Sequence, residues 1–323
     1  MKENNLLEVR SLKKYFPVLA NALQEKTTAT VKAVDGVSFF IREGETFGLV
    51  GESGSGKSTV GRAVIGLLEA TAGEVFFKGK NLYKLSAEEL RATRKDMQMI
   101  FQDPYGSLNP KMSVQKILEE PFRIHRQLDT RLYKDRALEI LNKVGLSSEF
   151  GSRYPHEFSG GQRQRIGIAR AIALNPDFIV ADEPVSALDV SIQAQIINLL
   201  QDLKESMGIS FLFISHDMAI VEHFCDHVAV MYFGKIVELA KSEDIYHNPA
   251  HPYTKALLDA IPSIDGKGPR ATIQGDIPNP ADPPPGCSFS GRCPIKEKVC
   301  EESIPPLNEV APGHLAACHL LSQ

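Results

Sequence analysis

The chain has 323 residues, 43% of them hydrophobic, so it is long enough to bury a sizeable core and to form about two domains. Its formal net charge of −4 and sequence pI of about 6.2 do not indicate an overall nucleic-acid-binding protein. It has neither a run of about 18 apolar residues nor the apolar core of a signal peptide, so we expect a cytoplasmic chain that does not span a bilayer by itself. In that compartment, cysteines are expected to be reduced thiols or metal ligands rather than disulfides.

The first predicted elements are strands over residues 6–9 and 31–41, the second of which alternates apolar and polar residues. The polar stretch 21–30 between them predicts a loop or a hairpin tip. Tyr15 precedes this loop. Its ring can either stack on adenine or pack, half-buried, against the strands.

A phosphate-binding loop follows the next predicted strand. Residues 51–59 read G-E-S-G-S-G-K-S-T, which fits the pattern G-x-x-x-x-G-K-[ST]. The apolar run before it predicts a buried strand, and the run after it has helical spacing. Backbone N–H groups of such a loop point at a phosphate chain, while Lys57 reaches the β- and γ-phosphates and Ser58 offers a hydroxyl to Mg²⁺. The predicted nucleotide-binding residues here are Gly51, Ser53, Gly54, Ser55, Gly56, Lys57, Ser58 and Thr59.

Further along, residues 74–77 predict a short strand, and S-A-E-E from Ser86 is a capping box that predicts a helix start. Residues 97–101 predict another strand, which ends at Gln102 and is followed by the loop D-P-Y-G-S-L-N-P. The spacing then becomes mostly helical, so we expect a helical insertion over about 103–170.

The segment E-F-S-G-G-Q-R-Q-R predicts a helix that Ser159 caps. Exposed N–H groups of Gly160 and Gly161, together with the Ser159 hydroxyl, make a second candidate anion site at this helix N-terminus. A simple loop-to-helix cap is the alternative interpretation.

Two further apolar strands end in polar residues. Residues 178–181 lead into D-E-P, and acidic residues at the carboxyl end of a parallel strand lie where a ligand crevice opens. We expect Asp182 to hold Mg²⁺, directly or through water, and Glu183 to polarise a water for attack on the γ-phosphate. A solvated acidic turn is the alternative. Residues 209–214 lead into S-H-D, where His216 is either structural or catalytic.

The composition changes after about residue 261. A proline-rich segment that cannot form a helix precedes four cysteines with the spacing C-x5-C-x6-C-x17-C. Four thiolates can enclose a tetrahedral Zn²⁺ or an iron–sulfur cluster, and these wide spacings favour the bulkier cluster; a tail without metal remains the third alternative. The predicted ligands are Cys287, Cys293, Cys300 and Cys318. His314 and His319 could substitute as zinc ligands, but we interpret both as bystanders of the metal site, and Cys225 as a helix-packing thiol.

Together these motifs resemble the ATP-binding-cassette family of transporter ATPases. The match covers roughly residues 6–258, and S-G-G-Q combined with D-E-P and S-A-L-D is highly specific. The resemblance implies an α/β P-loop ATPase with a mostly parallel sheet, an antiparallel β subdomain, a helical insertion and a cysteine-bearing C-terminal extension. It divides the chain into an ATPase domain over 6–260 and an extension over 261–323.

The resemblance also implies roles for single residues. Tyr15 is similar to the adenine-stacking aromatic of the family, and His216 to the switch histidine that contacts the γ-phosphate. Gln102 is similar to the glutamine that senses Mg²⁺ and the membrane partner, while Asp182 and Glu183 match the metal-binding and catalytic acids. The residues that match the signature motif and the dimer interface are Ser159, Gly160, Gly161, Gln162 and Asp189.

In this family the phosphate loop and the signature motif of one chain lie too far apart to meet. The resemblance therefore implies two chains that face each other head to tail and trap two ATP molecules. ATP binding closes this dimer and hydrolysis reopens it, which a membrane partner converts to alternating access.

The segments M-I-F-Q-D-P-Y-G-S-L-N-P-K-M and H-N-P-A-H-P-Y-T-K-A-L-L, with the cysteine-bearing tail, resemble oligopeptide/dipeptide importer ATPases of the second-ATPase type. That implies a second, related ATPase subunit in a heterodimer (or a homodimer in isolation), two transmembrane permeases and an external substrate-binding protein. It also implies a place at the cytoplasmic face of the membrane, no nucleic acid partner, and a 4Fe–4S cluster, with Zn²⁺ as the alternative. Alternative substrates are nickel, glutathione or sugars. Rivals from other classes are a soluble cassette ATPase acting on DNA or ribosomes and a small-molecule kinase.

Overall fold

The structure is a computed structural model that describes residues 5–21, 24–126, 129–261, 275 and 278–321. The chain forms two compact units. The first contains residues 42–45 and 84–214, and the second contains residues 5–41 and 46–83 and the chain from residue 215 onward. Among the described residues, no helix is both long and apolar enough to cross a membrane.

The described strands are β1 (Asn5–Asn21), β2 (Gln24–Arg42), β3 (Thr46–Val50), β4 (Ala72–Phe77), β5 (Lys80–Asn81), β6 (Met97–Ile100), β7 (Phe178–Asp182), β8 (Ser210–Ser215), β9 (His227–Tyr232), β10 (Lys235–Lys241), β11 (Asn308–Ala311) and β12 (His314–Ala316). The described α-helices are α1 (Lys57–Val64), α2 (Ala87–Thr93), α3 (Pro104–Ser107), α4 (Val114–His125), α5 (Tyr133–Lys143), α6 (Gly160–Ile172), α7 (Val190–Met207), α8 (Met218–Phe224), α9 (Ser242–His247), α10 (Pro252–Asp259) and α11 (Lys298–Glu302).

In the first unit, β6, β7 and β8 run parallel, with Ile100 opposite Ala181 and Ala181 opposite Phe213. Every residue of β7 and β8 is buried, as expected of parallel strands covered on both faces. Helices α3 to α6 lie between β6 and β7 along the chain and form the predicted helical region. The predicted capping box is confirmed, because Ser86 Oγ accepts a hydrogen bond from Glu89 N and the Glu89 carboxylate accepts one from Ser86 N.

The second unit contains an antiparallel sheet with the order β2-β1-β4-β5. Of the two alternatives for residues 21–30, the loop is wrong for most of the stretch, because β1 extends to Asn21 and β2 begins at Gln24. The two strands are neighbours in the sheet, as the hairpin alternative expects. Strand pairing uses backbone groups, so two strands can extend through a polar stretch that carries no apolar alternation.

Also in this unit, β3 runs parallel to β9 while β9 and β10 form an antiparallel hairpin. The C-terminal extension adds two strands to this sheet: β12 pairs with β10, with Glu238 opposite Ala316, and β11 pairs with β12. Residues 262–274 lie outside the described residues, as do residues 276–277 of the predicted proline-rich segment. The α/β class with parallel and antiparallel strands is confirmed.

Candidate functional site

The phosphate loop lies between β3 and α1 and requires glycine. Gly51, Gly54 and Gly56 have φ values of 147°, 81° and 103°, which residues with a side chain rarely adopt. A Cβ at Gly51 would lie 2.1 Å from the carbonyl oxygen of Met231, and one at Gly56 would lie 2.0 Å from that of Ala33. The loop therefore packs directly on neighbouring backbone, and larger residues cannot replace these two glycines.

Lys57 is 4% exposed, and its ammonium group lies against the loop. Nζ donates to the carbonyl oxygens of Gly51 at 2.7 Å and Glu52 at 2.8 Å, and to Ser55 Oγ at 3.3 Å. A phosphate chain on the loop would share these donors, so the positive charge is already placed for it. The other predicted residues of this segment are at least partly exposed and are Ser53, Gly54, Ser58 and Thr59.

Tyr15 lies in β1, and its hydroxyl is fixed by neighbouring strands. It donates to Asp35 Oδ1 at 2.5 Å, and the other carboxylate oxygen of Asp35 accepts from Lys235 Nζ at 2.7 Å. Burial and this hydrogen bond raise the pKa of Tyr15 to about 12. Lys32 Nζ lies over the Tyr15 ring, 5.8 Å from its centroid. The aromatic ring is therefore held by contacts at its hydroxyl and beside one face.

In the first unit, the ends of two parallel strands bring Gln102 and Glu183 together. Gln102 Nε2 donates to Glu183 Oε2 at 2.9 Å. Asp182, the last residue of β7, is only 2% exposed. Glu183 has a φ of 46°, which is uncommon for a non-glycine residue and is typical of strained functional positions. Carboxylates and an amide at the carboxyl ends of parallel strands form a site suited to a metal–phosphate ligand.

The S-G-G-Q segment forms the N-terminus of α6, as predicted. Ser159 Oγ accepts from Gln162 N at 3.4 Å, and Gln162 Oε1 accepts from Ser159 N at 3.0 Å, a reciprocal capping box. A Cβ at Gly161 would lie 2.6 Å from Cγ2 of Ile192, in the first turn of α7. Because Asp189 caps α7, the signature segment and the predicted interface aspartate belong to one packed region of this unit.

His216 is exposed and follows β8. The adjoining turn is fixed by side chains: Ser215 Oγ accepts from Asp217 N at 2.9 Å, and Asp217 Oδ1 accepts from Ala219 N at 2.9 Å.

The predicted site residues are divided between the two units. The second unit contains His216, Tyr15, the phosphate loop and the four tail cysteines, whereas the first contains the two acids, Gln102 and the signature segment.

The four predicted cysteine ligands converge, although far apart in sequence. They line one cavity of about 10 Å³ together with His251, Phe289 and His319; the cysteines are Cys287, Cys293, Cys300 and Cys318. Burial raises the pKa of the first two thiols, and the neighbouring thiols raise it further. Within the described residues, however, no group of three or more His, Cys, Asp or Glu is arranged to hold a metal ion. Cys225 is buried elsewhere, as predicted.

Two contacts of the C-terminal extension match no sequence motif. Arg292 forms a two-pronged ion pair with Glu52 inside the phosphate loop. His314 Nε2 lies 2.7 Å from Oε1 of the fully buried Glu238, a contact that the sequence patterns did not predict. The local signal for the first contact is Glu52 itself, because a carboxylate in an anion-binding loop requires a partner cation.

Comparison with known proteins places these features in context. A family profile described as ABC transporter matches residues 34–186, and one described as oligopeptide/dipeptide transporter, C-terminal region, matches residues 237–300. The oligopeptide transport ATP-binding protein AppF of Bacillus subtilis is 52% identical over 99% of this chain and 98% of its own length. The dipeptide transport ATP-binding protein DppF of Haemophilus influenzae is 47% identical over 98% of each.

A solved structure is also similar. The ATP-binding cassette MJ0796, in a dimeric post-hydrolysis state bound to ADP and Pi, is 29% identical with a TM-score of 0.65. The similarity covers 73% of this chain and 98% of that one.

Proposed function

This chain belongs to the ABC transporter family of ATP-binding proteins, and from that premise we propose that it binds and hydrolyses ATP to power the uptake of oligopeptides or dipeptides. Its enzymatic class is an ATPase coupled to transport. The observation that carries the catalytic part is the contact of Gln102 with Glu183 beside the buried Asp182. The peptide substrate is supported by the functions named for its relatives.

The proposed chemistry assigns each residue one task. Backbone N–H groups of the loop and Lys57 bind the phosphates, and Ser58 and Asp182 would hold Mg²⁺, which would neutralise phosphate charge. Glu183 accepts the proton of a water whose oxygen attacks the γ-phosphorus, while the bond from that phosphorus to the ADP oxygen breaks. Gln102 orients the Glu183 carboxylate through the hydrogen bond described above. His216 contacts the γ-phosphate, and Tyr15 stacks on adenine.

The proposed assembly contains two ATPase chains that face each other, with each signature segment on the ATP held by the partner. A second, related ATPase (the companion ATPase) fills the other position, two permeases form the pathway, and an external binding protein delivers the peptide. The dimeric state of MJ0796 is consistent with such pairing. Membrane attachment is then peripheral, at the cytoplasmic face.

We also propose that the tail cysteines hold a 4Fe–4S cluster, with Zn²⁺ as the alternative. Four thiols that line one cavity supply the donor chemistry that either group requires, although in the described residues they are not arranged to hold a metal ion. A cavity of about 10 Å³ has room for a single small ion, so a cluster would require the thiols to separate.

Metal binding by the tail cysteines is tested by measuring iron, sulfide and zinc in anaerobically purified protein. We expect C287S to lose the metal and C225S to keep it. Equal metal content in both variants would contradict the site.

The transport function is tested by affinity purification of this chain from detergent-solubilised native membranes, with its companions identified by mass spectrometry. We expect two permeases and a related ATPase. Recovery with ribosomal or DNA-repair proteins, and only in the soluble fraction, would leave the ATPase chemistry but remove the transport function.

The substrate is tested in cells that carry E183Q in place of the native residue. They should fail to grow when an essential amino acid is supplied only as a peptide and should grow when it is supplied as the amino acid. Normal growth on peptides combined with lost uptake of nickel, glutathione or a sugar would reassign the substrate.

A further inference from the structure

A carboxylate lies inside the phosphate loop, at Glu52. Phosphate chains carry several negative charges, so an uncompensated carboxylate at this position would repel them. Its side chain is 26% exposed, too little for water alone to screen it fully. Some cation is therefore needed beside it if the loop is to bind ATP well.

The C-terminal extension supplies that cation. Arg292 Nη1 donates to Glu52 Oε2 at 2.6 Å, and Nη2 donates to Oε1 at 2.9 Å, a bidentate pair of the strong charge-assisted type. The Arg292 side chain is only 6% exposed. Hydrogen bonding to Glu52 raises the pKa of Arg292 further above its ordinary value, so the guanidinium remains charged.

Buried aromatic residues fix both ends of this contact. Arg292 Nη1 also donates to the Tyr232 hydroxyl at 3.4 Å, and Glu52 N donates to the Tyr253 hydroxyl at 2.9 Å. The Tyr232 ring lies 4.6 Å from that of Tyr253 and 5.4 Å from that of Phe289 in the extension. Arg292 of the extension thus holds the side chain of Glu52, while Tyr253, against which Phe289 of the extension packs, holds its backbone.

The side of the loop next to this pair is lined by the extension as well. A cavity of about 300 Å³ has loop residues 52–55, Tyr232, Phe233 and residues 278–280 in its wall. The extension therefore approaches the loop at two places, through Arg292 and through its proline-containing segment.

We propose that Arg292 is a positioning residue for the ATPase reaction: it neutralises Glu52 and holds the phosphate loop in its ATP-binding geometry. The extension is then part of the nucleotide site rather than an appendage to it. This inference rests on the proposed ATP site in the loop.

A purely structural ion pair would also keep the extension folded, so the test must separate charge from stability. Affinity for MgATP and for adenosine is measured in R292Q, E52Q and the double variant of the full chain, with the fold checked by circular dichroism. R292Q should bind MgATP about tenfold more weakly, equivalent to about 1.4 kcal/mol, while its affinity for adenosine, which has no phosphates, stays the same. In the E52Q background, the R292Q substitution should weaken MgATP binding by about twofold or less.

The matched control is K296Q, which removes the exposed pair of Lys296 with Glu301 in the same extension. It should leave the affinity for MgATP as in the wild type. The role of Arg292 would be overturned if R292Q weakened MgATP binding about tenfold in the E52Q background as well. It would also be overturned if R292Q weakened the binding of MgATP and adenosine equally. Wild-type protein that binds no ATP would instead refute the proposed site itself.

R292H gives a second readout if R292Q does not fold. Its affinity for MgATP, relative to wild type, should fall as pH rises through about 6.5, where the introduced imidazole loses its charge. If the MgATP affinity of folded R292H, relative to wild type, did not change with pH, the proposal would be contradicted.

Discussion

Glu183 combines an uncommon backbone conformation with a defined partner. Its φ of 46° directs the residue away from the line of β7, and its N–H donates to Ile214 O in the neighbouring strand at 3.0 Å. The side chain then meets the Gln102 amide at 2.9 Å. Strain of this kind, of order 1–3 kcal/mol, persists where surrounding structure fixes it and is concentrated at active sites.

Replacing the Glu183 carboxylate tests its chemical role. E183Q should lower ATP turnover by about 10²–10⁴-fold, because an amide cannot accept the proton of the attacking water. ATP affinity should remain, since Gln has the same shape and the phosphate loop is intact. Steady-state phosphate release and equilibrium nucleotide titration measure the two quantities, and rapid hydrolysis by E183Q would exclude Glu183 as the base.

The two loop glycines Gly54 and Gly56 form a matched pair for testing the loop. Both have positive φ, but a Cβ at Gly56 would lie 2.0 Å from Ala33 O whereas one at Gly54 would have no heavy atom within 4 Å. G56A should therefore abolish ATP binding, while G54A should carry only the strain of about 1 kcal/mol and keep measurable binding. Nucleotide titration decides this, and wild-type affinity in G56A would contradict the loop geometry.

At the scale of elements, β12 of the extension is fixed to β10 by a buried polar contact. Glu238 is 0% exposed; its oxygens accept from Ala250 N at 2.7 Å and His251 N at 2.9 Å, and one lies 2.7 Å from His314 Nε2. Three partners around one buried carboxylate satisfy it, as such groups require. This contact joins the strand hairpin, the start of α10 and the tail.

Removing one partner should be costly. H314A removes one of the two partners of the buried Glu238 Oε1, which keeps only the hydrogen bond from Ala250 N. Because hydrogen bonds to a buried charged group are among the stronger ones, we expect the free energy of unfolding to fall by about 1–3 kcal/mol. H223A, at an exposed histidine on α8, should change it by less than about 0.5 kcal/mol. Urea unfolding of both variants measures the difference, and equal stabilities would show that the Glu238 contact contributes little.

At the scale of the whole molecule, each chain carries one phosphate loop and one signature segment. In the proposed assembly, ATP is bound by the loop of one chain and the signature of the other, so the free energy of ATP binding drives association. Hydrolysis removes the γ-phosphate and with it part of that free energy. Association should therefore depend on intact ATP.

E183Q, which should keep ATP bound, tests this dependence. With MgATP and the companion ATPase it should form a two-chain complex by size-exclusion chromatography with light scattering, and without nucleotide it should not. K57A is the control. It lacks the buried ammonium group and should lose ATP affinity, so it should not form a complex with the companion ATPase. A complex of equal abundance with and without ATP would refute nucleotide-driven pairing.

The sequence by itself determined the class of the protein and predicted the residues of its candidate site. The glycine loop before α1, the helix caps at Ser86 and Ser159 and the acids after β7 follow from residues that are close together in the sequence. Turns, caps and strand ends are set by local backbone chemistry. Local patterns did not decide between a loop and a hairpin tip at residues 21–30, where strand pairing extends β1 to Asn21 and starts β2 at Gln24.

Only the tertiary structure decided the contacts between segments far apart in the chain. Arg292 is separated from Glu52 by 240 positions, and His314 from Glu238 by 76. No periodicity relates such pairs, because sheet register and the path of the extension bring them together. The four cysteines were visible as a pattern, but their convergence on one cavity also depends on how the extension folds. Sequence thus identified the chemical groups, and the fold determined that the extension meets the phosphate loop.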